Sequence, residues 1–132
     1  MKILIAGSRT WTDECTVRRI LRGLYEEMGE PDPSTVELIH GNDPSGADMM
    51  CDKYAVEAGW SIKRFSPDWN KYKKEAFDFR NAEMSNYGAD IALVFFSERS
   101  PKTDKLVGEL ESKNIPCRTF WEDVEKTEEE VS

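Results

Sequence analysis

The chain is 132 residues long, 39% hydrophobic and 33% charged, and its 18 Lys+Arg against 26 Asp+Glu give a formal net charge of −8. One domain is expected at that length, and four Trp, four Tyr and six Phe exclude wholesale disorder. No apolar run nears the roughly 18 residues that a bilayer span needs, and the opening apolar stretch is too short for a signal-peptide core, so a cytoplasmic protein is expected.

In chain order, Lys2–Ala6 reads as a buried strand broken by Gly7. Thr10 or Thr12 is positioned to cap a helix, with Asp13 and Glu14 in its acidic first turn. Val17, Ile20, Leu21, Leu24 and Met28 recur at helical spacing and give that helix one buried face. Gly29 and Pro31-Asp32-Pro33 stop it. Val36–His40 is a second strand, followed by the turn Gly41-Asn42-Asp43-Pro44-Ser45-Gly46. A second helix carries the small-residue face Ala47, Cys51, Ala55 and Ala58, and Gly59 ends it. Trp60–Phe65 is a third strand. Asn70 through Tyr87 has the pattern of one long helix, with Ala76, Phe79 and Met84 pointing inward. Asp90–Phe96 is the fourth and most apolar strand, Thr103 caps a fourth helix, and Ile115–Phe120 closes as the fifth strand.

Near-continuous apolar strands alternating with amphipathic helices mean a parallel sheet covered on both faces. Ligands of such sheets bind beyond the carboxyl ends of the strands, near the point where strand order reverses. Those ends here are Gly7–Thr10, His40–Gly46, Ser66–Trp69 and Ser97–Thr103, where the glycines and polar residues collect. Residues 1–121 are read as the domain and 122–132 as an acidic tail, which holds six acids and one lysine. The acidic balance argues against nucleic acid as a partner, since phosphate neutralisation wants a basic face. Cys15, Cys51 and Cys117 are odd in number and far apart, and the lone His40 completes no zinc set with them, so no metal is expected.

Four segments carry candidate chemistry. Gly7-Ser8-Arg9 lies between a strand and a helix: Gly7 admits a ligand to the backbone, the helix start offers N–H donors and Arg9 offers a phosphate fork. An ordinary glycine turn with a surface arginine is the alternative, and there is no GxGxxG. Gly41 to Gly46 has Walker A spacing, but Ala47 and Asp48 stand where Lys and Ser or Thr should be, so a P-loop is excluded. An N–H-rich loop remains, in which Asn42, Ser45 and Gly46 would meet an anion, and Asp48 either joins them or merely favours the helix dipole. His40 reads as a hydrogen-bonded structural residue more readily than as a catalyst. The stretch Asp68–Lys74 offers Trp69 or Tyr72 to stack on a base, or else starts a helix with Trp69 in the core.

Taken together, Gly7-Ser8-Arg9, His40-Gly41, Gly46-Ala47-Asp48, Asp68-Trp69 with Tyr72, Arg80-Asn81-x-x-Met84 and Ile115-Pro116 resemble the SLOG superfamily, in its small YspA-related branch common in bacteria and phages. The resemblance runs over about residues 2–120. It implies a Rossmann-like three-layer sandwich with a mainly parallel five-stranded sheet, and a nucleotide or nucleotide-derived ligand. Relatives include the Lonely Guy phosphoribohydrolases and the DNA-processing protein DprA. The chain departs from the Lonely Guy pattern after the fourth strand: of its Pro-Gly-Gly-x-Gly-Thr loop only Thr103 matches, and the following glutamate has no counterpart. Arg80 does match the arginine of the enzymes' Arg-x-x-x-Met motif.

The resulting expectation is a nucleotide-binding protein with Gly7, Ser8 and Arg9 on one side of the ligand and Gly41, Asn42, Ser45, Gly46 and Asp48 on the other. Arg80, Asn81 and Thr103 would hold the phosphate, and Trp69 or Tyr72 the base. The alternative is a nucleoside 5′-monophosphate N-glycosidase, with Arg80 on the phosphate and Asp48 or Glu75 (Asp104 being the other acid in reach) stabilising an oxocarbenium-like ribose. No cofactor is implied. A homodimer is the expected oligomer, with Tyr25, Tyr54 or Phe77 supplying the interface.

Overall fold

A computed structural model describes residues 1–122. Five strands form one sheet in the order β3-β2-β1-β4-β5: β1 Lys2–Gly7, β2 Glu37–His40, β3 Ser61–Arg64, β4 Ile91–Phe96 and β5 Cys117–Trp121. Every pairing is parallel, with Leu4 opposite Ile39 on one side and Ala92 on the other. The helices are α1 Glu14–Glu27, α2 Gly46–Ala58, α3 Trp69–Tyr72, α4 Ala76–Tyr87 and α5 Pro101–Ser112. This is the expected α/β three-layer, Rossmann-like architecture.

Side-chain alternation along the two central strands explains the layers. Ile3 and Ile5 of β1 join Leu93 and Phe95 of β4 on one face, where Val17, Leu21 and Leu24 of α1 and Ala47, Cys51 and Ala55 of α2 cover them. Leu4 and Ala6 join Val94 and Phe96 on the other face, under Met84 of α4 and Leu106 and Leu110 of α5. All six residues of β4 are buried, which is why that strand reads as an unbroken apolar run. Each large side chain so buried contributes about 1.5–3 kcal/mol. The small face of α2 lets that helix settle close to the sheet and brings its first turn down to the strand ends.

Local details differ from the sequence reading at four places. Asp13, not Thr10 or Thr12, caps α1, its Oδ1 accepting from the Thr16 N–H at 3.0 Å. Ser100, not Thr103, caps α5, accepting from the Thr103 N–H at 3.3 Å, and Pro101 takes the first helical position. The expected long helix over Asn70–Tyr87 is broken: α3 ends at Tyr72, a 3₁₀ turn spans Lys73–Glu75, and Lys73 has φ 53°. Arg80 is therefore in the second turn of α4 rather than deep in a long helix. Phe79, expected inward, is 42% exposed and stacks on Tyr72. The buried positions of α4 are Ala76, Asn81, Met84 and Ser85.

Tyr25 and Tyr54 are partly buried, both rings packing on buried Trp60. Among the described residues, no helix is long and apolar enough to cross a membrane. The acidic-tail reading falls beyond Glu122, outside the described residues. Glu122 itself accepts from the Thr12 N–H and hydroxyl at 2.9 and 2.8 Å.

Candidate ligand cleft at the sheet edge

Strand order reverses between β1, whose chain moves outward to β2 and β3, and β4, which returns to β1's other side. At the carboxyl ends of these strands opens a cavity of about 260 Å³, lined by Gly7, Ser8, Arg9, Gly41, Asp48, Arg80, Asn81 and Thr103 among others. A second cavity of about 250 Å³ lies alongside, walled by Asn42, Pro44, Ser45, Pro67 and Trp69. The two share Arg9, Gly41, Asp43, Phe77 and Arg80. The topology thus places a cleft where doubly wound sheets bind ligands.

The turn after β1 is fixed by its own backbone. The Ser8 N–H donates to Phe95 O at 2.8 Å and Ser8 Oγ accepts from the Ser97 N–H at 3.0 Å, joining the ends of β1 and β4. Ser8 O accepts from the Ala47 N–H at 3.4 Å, which docks α2 on the same turn. Gly46 has φ 72°, and a Cβ there would stand 2.6 Å from the Arg9 backbone. Its place is structural, and it lines neither cavity.

The turn after β2 hangs on His40, which is 1% exposed. Its Nδ1 accepts from the Asn42 N–H at 2.9 Å, so the proton is on Nε2, which donates to Asp52 Oδ2 at 2.6 Å. Asp52 in turn accepts from Arg64 Nε at 2.7 Å, and that guanidinium holds its carboxyl below the usual range. This chain fixes the turn in which Asn42 has φ 57° and Gly41 O accepts from Arg80. His40 has the structural role expected of it, with Asp52 and Arg64 as partners that its place at a strand end did not disclose.

Arg80 takes up that carbonyl, donating from Nη1 to Gly41 O at 2.5 Å and from Nε to Asn81 Oδ1 at 2.8 Å. Its guanidinium lies 5.1 Å from the centroid of Phe77, and Arg9 reaches the same ring at 5.4 Å. Burial pushes the Arg80 pKa down from its ordinary value, against the attraction of Asp48 and Asp43. Among the described residues no carboxylate comes within ion-pair distance of it. Arg9 is different, with its side chain 60% exposed and 3.5 Å from Asp43 Oδ2.

Asp48, in the first turn of α2, is 8% exposed. One oxygen accepts from the Asp43 N–H at 3.4 Å, while Oδ1 is buried without a partner among the described residues. Burial pushes its carboxyl up to about 6, in spite of nearby His40 and Arg80.

Not every expected residue is brought here. Glu75 is exposed on the turn before α4 and lines neither cavity. Tyr72 also lines neither, its ring stacked on Phe79 with centroids 3.9 Å apart. Trp69 is 48% exposed rather than in the core, and stands edge-on to Phe77 at 4.7 Å. Phe77 and Asp43 were missed as cleft residues. Phe77 sits three residues before Arg80, a spacing that pairs side chains on a helix and could have disclosed it. Among the described residues no group of three or more His, Cys, Asp or Glu is gathered that could hold a metal ion.

The model of the YspA, cpYpsA-related SLOG family matches residues 1–72. Gene 61 protein of Mycobacterium phage D29 is 32% identical over 124 residues, covering 90% of this chain and 95% of the phage protein. No solved structure matches. The family match ends at Tyr72, so it covers the turns after β1 and β2 but not Arg80, Asn81 or Thr103.

Proposed function

The chain belongs to the YspA, cpYpsA-related SLOG family, and we propose that it binds a nucleotide or nucleotide-derived small molecule in the cleft at the carboxyl ends of β1, β2 and β4. The observation that carries this reading is Arg80. A guanidinium partly withdrawn from water gains from an opposite charge that compensates it, yet its bonded partners here are a carbonyl and an amide. A phosphate entering the cleft would supply the missing charge in the two-point geometry that guanidinium favours. Arg9 would add a second cation once released from Asp43, an exposed pair worth at most about 1 kcal/mol. Thr103 and the first turn of α5 would offer further donors.

Isothermal titration with a panel of nucleoside mono- and diphosphates, cyclic nucleotides and ADP-ribose tests this. Binding of at least one member, weakened by Arg80→Ala, is expected. No heat from any member at millimolar concentration, for a folded sample free of co-purified ligand by mass spectrometry, would overturn it.

A second reading rests on Asp48, a buried carboxylate on the same cavity as Arg80. In an N-glycosidase it would stabilise the positive charge that develops on ribose while Arg80 held the phosphate. Glu75 and Asp104, the other acids considered for that role, line neither cavity, and Asp104 pairs with Arg99 at 3.3 Å. Free base released from AMP or dAMP by wild type, and not by Asp48→Asn, is the result that would establish this activity.

A further inference from the structure

Two cavities meet at the cationic pair, and their linings differ in kind. On one side of Arg9 and Arg80 are the polar residues Asp48 and Asn81. On the other, Pro44, Pro67 and the half-exposed Trp69 make a flat apolar wall. Phe77, shared by both, props Trp69 edge-on at 4.7 Å and carries both guanidiniums against its ring. Trp69 is thus braced by Phe77 and left 48% exposed on the wall of that cavity.

Resting on the binding reading above, we propose that the ligand is two-armed: an anionic phosphate bridge on Arg9 and Arg80, with a hydroxyl-bearing sugar reaching Asp48 and Asn81 and a planar ring lying against Trp69. Size supports this. Pockets for small molecules run from about 300 Å³ upward, and each cavity alone, at about 260 and 250 Å³, falls short. Joined through their shared residues they reach that range. Chemistry supports it too. An acidic side chain on the cavity wall, Asp48, selects a group bearing O–H or N–H, whereas the half-exposed indole of Trp69 beside Pro44 and Pro67 selects a π-face. A terminal phosphate with one arm would leave one of these features unused.

Three probes separate the outcomes in isothermal titration: ADP-ribose, with a ring and a sugar on either side of a diphosphate; AMP, with the ring on one side only; and ribose 5-phosphate, with the sugar only. ADP-ribose is expected to bind at least tenfold more tightly than either of the others. Trp69→Ala should lower affinity for ADP-ribose and AMP about tenfold, and Asp48→Asn should do the same for ADP-ribose and ribose 5-phosphate. AMP binding as tightly as ADP-ribose overturns the two-armed ligand and leaves the anion site standing. Tight ADP-ribose binding that ignores both substitutions overturns the assignment of the arms. Binding of none of the three overturns this proposal, and the wider panel then decides whether the binding reading falls with it.

Discussion

Asp48 and Arg80 show how single residues carry the site. Asp48 is buried and Arg80 partly so, neither has an ion-pair partner among the described residues, and both line one cavity. For Asp48 the consequence is a pH dependence of stability. Burial raises its carboxyl to about 6 from an ordinary 3.8, so the folded protein holds this proton more tightly than the unfolded chain does. The associated stability is fully present below about pH 4 and is lost as pH rises through 6, by up to about 3 kcal/mol. Asp48→Asn should therefore stabilise the ligand-free protein at pH 8 and make little difference at pH 4. Urea unfolding of both proteins at the two pH values checks this. Equal destabilisation at both would mean that the carboxylate is satisfied in the fold and does not await a ligand.

At the scale of the element, the loop from β2 into α2 contains two glycines with opposite duties. A Cβ at Gly46 would meet the backbone of Ser8 and Arg9, which cannot yield, and φ 72° is itself unfavourable for a side chain. A Cβ at Gly41 would meet only the tip of Arg80, 2.6 Å from Cζ, and a long side chain can move away. Gly46→Ala is accordingly expected to cost about 2–4 kcal/mol in urea unfolding, on the scale of severe single-site lesions. Gly41→Ala should stay within about 1 kcal/mol of wild type while weakening phosphate-ligand affinity about tenfold, because the guanidinium is pushed off its carbonyl. Unfolding curves and titrations of both variants decide the matter, and Gly41→Ala binding like wild type would remove Gly41 from the site.

The same element scale shows what could be read from residues alone. The central strands were legible because burial on both faces leaves an apolar run, as in Ile91–Phe96, bounded by turn residues. Gly7, Ser8, Arg9 and Gly41 were legible because the ends of parallel strands are where such sheets gather ligands. The break at Lys73 was not legible: its left-handed φ falls on a residue with no turn preference, in a stretch whose periodicity continues on both sides. That break decides which side of α4 faces the cleft, and so why Phe77 lines it while Phe79 faces solvent. Asp52 and Arg64 were hidden because their link to His40 spans α2 and β3, a pairing that only the folded chain creates.

For the molecule as a whole, the claim is that reversal of strand order beside β1 opens a cleft, and that a cation in it, Arg80, has no ion-pair contact among the described residues and is there to meet an anionic ligand. Packing alone does not require Arg80 there, since its aliphatic stem and Phe77 could be served by an apolar residue. The most direct measurement is isothermal titration of the tightest-binding panel nucleotide to wild type, Arg80→Ala and Arg80→Lys, with thermal unfolding of each protein without ligand. Arg80→Ala should lose about 1.5–3 kcal/mol of binding free energy, the range for hydrogen bonds to charged groups. Arg80→Lys should recover part of that loss, since an ammonium cannot make the two-point contact. Unfolding temperatures should change little, because the native partners lost are one carbonyl and one amide. An alanine variant that binds as tightly as wild type and unfolds several degrees lower would make Arg80 a structural residue and contradict the account.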